Sequence, residues 1–93
     1  MENIISGSPL GPRVISVIPT DEYKLILTFT NGEQREFDAV PLLEDVVFKP
    51  LENIAFFKSV KVAYGTVAWP QDIDYCPDTL YIQSIPISAM HVG

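Results

Sequence analysis

The sequence predicts a small α+β domain: about five short, mostly antiparallel strands in β-hairpins, with two or three short helices packed on the sheet. Three observations carry this. Leu25, Leu27 and Phe29 alternate at the period of a half-buried strand and run into the turn Thr30-Asn31-Gly32, after which the chain returns. A second pair of short strand-like runs brackets Ala63-Tyr64-Gly65. Helical spacing occurs only in segments too short to hold a helix without packing. At 93 residues the chain is one domain.

Residues 1–12 include Gly7, Ser8, Pro9, Gly11 and Pro12, a composition that breaks regular structure. They read as an extended N-terminal arm ahead of a single domain over residues 13–83. Val14-Ile15-Ser16-Val17-Ile18 is β-branched and stopped by Pro19, which makes it the first strand. The hairpin of Tyr23–Phe29 with Glu33–Asp38 admits two registers. A two-residue Asn31-Gly32 loop sets Leu27 opposite Glu36 and Phe29 opposite Gln34, mixing apolar and polar groups on one face. A three-residue loop with Gly32 left-handed sets Leu25 opposite Phe37 and Leu27 opposite Arg35. The core face then reads Leu25, Leu27, Phe29 and Phe37, and this register is expected.

Asp38–Glu44 holds one helical turn with Pro41 inside its start. Pro50–Lys58 reads as a second short helix with Leu51, Ile54 and Ala55 inward. Ser59–Val62 and Thr66–Trp69 form the second hairpin, ended by Pro70. Pro77 suits the first position of a third helix, reaching about Gln83 with Leu80 and Tyr81 inward. Residues 84–93 read as an apolar C-terminal tail. Its Ile85, Ile87 and Val92 suit pairing along a sheet edge, in the same chain or in a neighbour's as a homodimer.

Charge narrows the partners. The net charge is −6, the six basic residues are scattered singly, and none follows Lys61, whereas Asp72, Asp74 and Asp78 do. Phosphate binding needs clustered Lys and Arg, so nucleic acid is not expected and a basic protein is. No apolar run approaches the roughly 20 residues of a membrane span, and Met1-Glu2-Asn3 lacks the basic start of a signal peptide. The single Cys forms no internal disulfide, so the expected compartment is the reducing cytoplasm.

Val67–Tyr81 holds the only Trp and the only Cys, with three Asp and no base. As a calcium loop beginning at Asp72 it places Pro77 where Gly belongs and Gln83 where Glu belongs, so no metal is expected. Asp72 and Asp74 read instead as caps of turn amides, and Asp78 as a first-turn helix acid. Cys76 and His91 are the one Cys/His pair; His91 lies near the C-terminus and Cys76 reads as a small buried filler, so no nucleophile is expected. Trp69 reads as core. No phosphate-cradling glycine pattern, cofactor site or catalytic residue is found. The candidate partner-binding residues are Tyr64, Asp72, Asp74 and Tyr75, an aromatic and acidic set. The alternative is a small enzyme or ligand-binding domain using the acidic loop Trp69–Tyr81.

The run Val14…Asp21-x-Tyr23-x-Leu25…Phe29-x-Asn31-Gly32-x-x-Arg35-x-Phe37-Asp38, then Phe48-x-Pro50-Leu51, then Trp69-Pro70…Asp72-x-Asp74-x-x-Pro77-Asp78-x-Leu80-Tyr81, resembles the small bacterial family called domain of unknown function 2442. The resemblance covers about Arg13 to Gln83. It implies an α+β fold of short hairpins and small helices with no established activity. Members often sit beside genes for a second small domain, and such pairs are suspected toxin–antitoxin modules. Some relatives carry an added helix-turn-helix, for which this chain has no room after Gln83. The resemblance thus implies an antitoxin-like role through protein binding.

Overall fold

The computed structural model describes residues 11–87, which form two antiparallel sheets with short helices between them. The first sheet has the order β1-β2-β3-β7, with β1 Val14–Pro19, β2 Lys24–Phe29, β3 Gln34–Asp38 and β7 Ile85–Pro86. The second has β4 Lys61–Ala63, β5 Thr66–Trp69 and β6 Ile73–Asp74. The expected α+β class holds. The two-residue strands β6 and β7 are too short to show a period of two, and the division into two sheets has no sequence signal.

The β2–β3 register is the expected one: Leu25 faces Phe37 and Leu27 faces Arg35. Gly32 takes φ +89°, its amide donates to the Phe29 carbonyl, and Asn31 Oδ1 accepts from the Glu33 amide. Leu25, Leu27 and Phe29 are fully buried as a result. Arg35 goes in with them, only 8% exposed, although a guanidinium has no place in a hydrophobic pattern. It is satisfied from both sides. Its Nε donates to Ser84 Oγ at 2.6 Å, a terminal nitrogen donates to the Ser84 carbonyl at 2.7 Å, and the other donates to Glu33 Oε1 at 3.1 Å. Its plane lies 4.2 Å from the Tyr81 ring centroid, and the Tyr81 hydroxyl donates to the same Glu33 oxygen.

Between β3 and β4 the chain makes two 3-10 segments, Val40–Glu44 and Val46–Glu52, and one α-helical turn, α1 Ile54–Phe57. Here the expected helix over Pro50–Lys58 is corrected. Asn53 is extended and caps the amides of Ala55 and Phe56, so the helical phase restarts there. Before it, Phe48 and Leu51 point inward at the three-residue repeat of a 3-10 helix; after it, Phe57 does, leaving Ile54 and Ala55 exposed. The helix α2, Pro77–Gln83, matches expectation, with Pro77 in its first turn and Leu80 buried.

Trp69 is core, 2% exposed, and its ring neighbours are Phe57 and Phe48. Its Nε1 donates to the Phe57 carbonyl at 2.8 Å, which fixes α1 against β5. Of the tail, Ile85 and Pro86 pair with Glu36 and Arg35 of their own chain. The part beyond residue 87, and the arm up to residue 10, lie outside the described residues.

Two stability predictions follow from this packing. Replacing Trp69 by Ala removes both ring contacts and the indole hydrogen bond to the Phe57 carbonyl, and should cost about 3–5 kcal/mol, read as a lowered urea midpoint. The Tyr81 hydroxyl, with help from Arg35 and Asn31, holds the Glu33 carboxyl below its ordinary pKa. A carboxyl depressed in the folded state stabilises above its unfolded pKa, and that stability is lost as pH falls through the folded value. Urea midpoints should therefore drop on acidification, and Glu33→Gln should flatten that part of the profile. An identical acid limb in the variant would show that Glu33 carries none of it.

Candidate functional site

In the second sheet, alternation sorts the side chains by face. Val67, Trp69 and Ile73 are buried in the core, while Ala68 and Asp74 face the other way. Register sets Lys61 beside Ala68 and Ala68 beside Asp74, so these three make one row across the outer face. Ala63, two residues from Lys61, shares that face. Two alanines in the floor leave a hollow where larger side chains would stand. The resulting groove has a volume of about 730 Å³ and is also lined by Tyr64, Pro70, Gln71 and Asp72.

Two tight turns bound the groove. Tyr64 and Gly65 form the β4–β5 turn with φ +54° and +77°, the pair of positive φ values that a two-residue hairpin loop of matching twist requires. Gly65 is needed there twice over. Besides its φ, a Cβ on it would lie 2.9 Å from the Arg13 side chain, and its carbonyl accepts from the Val14 amide. At the other end Gln71 and Asp72 take φ +70° and +61°, turning the chain from β5 into β6.

Of the four residues expected to form a binding surface, the structure brings three together on this groove: Tyr64, Asp72 and Asp74. Tyr75 does not join them. It is half-buried, packs its ring at a tilt on Phe37 and edge-on against Phe48, and its hydroxyl donates to Gln83, and burial pushes its phenol pKa up. The expected capping role of Asp72 and Asp74 is also corrected. Among the described residues neither accepts a turn amide, and that role falls to Thr20, Asn31, Asp38, Asp45 and Asn53. Lys61, Ala63 and Ala68 were not singled out from the sequence. Reading Tyr64-Gly65 as a two-residue loop would have paired Lys61 with Ala68 and found the floor.

Cys76 is exposed, against the expectation of a buried filler. It precedes α2 at the surface, where a helix start needs no apolar side chain. Its sulfur makes no formed cap bond, yet it faces the Thr79 amide and hydroxyl and the Asp78 amide, which hold the thiol below its ordinary pKa. His91 lies outside the described residues. Among those residues no group of three or more His, Cys, Asp or Glu is arranged to hold a metal ion, and no helix is long and apolar enough to cross a membrane.

Fold and site together define a small two-sheet α+β domain with a charged, alanine-floored groove on its outer face. The family model described as protein of unknown function (DUF2442) matches residues 14–86, most of the chain, and the protein belongs to that family. The match extends past Gln83 to take in β7. No curated protein and no solved structure matches the chain.

Alkylation tests the surroundings of the thiol. Iodoacetamide should label the native protein at Cys76 without denaturant, with a rate–pH midpoint below that of the urea-unfolded chain. Coincident midpoints would show that the amides of α2 do not act on the sulfur.

Proposed function

We propose that the protein is a small non-enzymatic interaction module for a basic protein, the antitoxin-like half of a two-gene pair. Tyr64 carries this reading. The residue is 96% exposed at φ +54°, and among the described residues its ring packs on no other aromatic and its hydroxyl makes no hydrogen bond. A bulky residue held left-handed costs on the order of 1 kcal/mol, and among the described residues no such contact offsets it. An aromatic presented in this way beside a groove is what a binding anchor requires.

Asp72 and Asp74 on the groove lining, and the net charge of −6, support a basic partner. The two-gene arrangement is what the resemblance to the family implies, and the exposed thiol of Cys76 suits a reducing cytoplasm. A homodimer would use another surface: the outer face of the first sheet, where Ile18 and Ile85 are exposed. The groove volume falls in the range of small-molecule sites, and that observation favours ligand binding as the second reading.

Binding kinetics against the product of the adjacent gene, over a salt series, test the proposal. Association should slow as salt rises, and Asp72→Lys with Asp74→Lys should slow it further at low salt. Tyr64→Asn, with a residue that tolerates left-handed φ, should keep or slightly raise stability while weakening binding by about 2 kcal/mol, roughly 30-fold. Absence of binding, or binding indifferent to salt and to these changes, would return Tyr64 to the status of a bare turn residue.

A further inference from the structure

We infer that the groove takes one extended segment of the partner in a single polarity, its basic side chain against Asp72 and Asp74 and an acidic one against Lys61. The inference rests on the interaction reading above and adds what that reading does not contain, an acidic group on an otherwise basic partner. It begins with a census of the cations. Lys24, Arg35, Lys49 and Lys58 pair with Glu36, Glu33, Glu52 and Asp21, and Arg13 donates to the Tyr64 carbonyl. Among the described residues the side chain of Lys61 alone, of the six basic residues, makes neither ion pair nor hydrogen bond. It stands in the groove, on the strand opposite Asp74 across Ala68.

Charge complementarity therefore asks for both signs, and the sheet sets their separation. Two interstrand spacings put the Cα atoms of Lys61 and Asp74 roughly 10 Å apart. In a polyproline II segment, side chains three residues apart project on the same side, roughly 9 Å from one another. In a β-strand the same-side neighbours are two residues apart, at roughly 7 Å, a poorer match. The alanine floor gives such a segment room, and the Tyr64 ring at the end of the groove offers an aromatic surface for a proline to pack on.

Fluorescence anisotropy with three labelled peptides tests this, with cores Arg-Pro-Pro-Glu, Glu-Pro-Pro-Arg and Arg-Pro-Pro-Arg in a common neutral frame. The native protein should bind one of the two mixed-charge peptides roughly three- to tenfold tighter than both the other and the doubly basic one. Lys61→Glu, a change on an exposed wall, should reverse the preference in favour of the doubly basic peptide. A native preference for the doubly basic peptide, with Lys61→Glu tightening every peptide, would overturn the polarity while leaving the basic-partner reading in place. Failure to bind any of the three would also overturn it, and binding of the intact adjacent gene product would then judge the module reading separately.

Discussion

The buried guanidinium of Arg35 is the constraint on which the closing half of the structure depends. It sits on the core face of β3, where an unpaired cation would cost several kcal/mol. Every partner that prevents this, apart from Glu33, comes from the end of the domain: Ser84 through side chain and carbonyl, and Tyr81 through its ring. The Ser84 hydroxyl donates in turn to the Tyr81 carbonyl, so the last turn of α2 is tied off by the same group. Because Arg35 must be satisfied, α2 and β7 are held to the β3 edge of the first sheet. At that edge Arg35 and Glu36 are paired with the protein's own chain.

The second sheet answers to a different anchor. Trp69 is held by the Phe57 carbonyl and packed on Phe57 and Phe48, which fixes which face of β5 is inside. Ala68 then faces out, with Lys61 and Asp74 on either side of it. A groove with one cation and two carboxylates is thus a consequence of core packing on the opposite face of the same three strands. The strained turn at Tyr64 is fixed from outside the sheet, by Arg13 and by the Val14 amide at the start of β1. The Tyr64 end of the groove is thus tied to the start of the first sheet.

Local chemistry by itself determined much of this protein. The apolar alternation in β2 and the left-handed preference of Gly32 were enough to fix the β2–β3 register, because a one-residue slip would have turned every core side chain to solvent. Pro77 marked the start of α2, and the large apolar surface of Trp69 marked it as core. Tyr64, Asp72 and Asp74 could be picked out by residue type alone, since exposed turns and aromatic–acidic composition are written in the sequence. Tertiary structure decided the rest. Strands of two residues have no period, a helix that restarts at a cap loses its phase, and Arg35 reads as a surface residue until Ser84 and Tyr81 close over it. That Tyr75 turns inward while Lys61 joins the groove follows from pairings between segments far apart in the chain. Those pairings are set by mutual burial, which no single segment encodes.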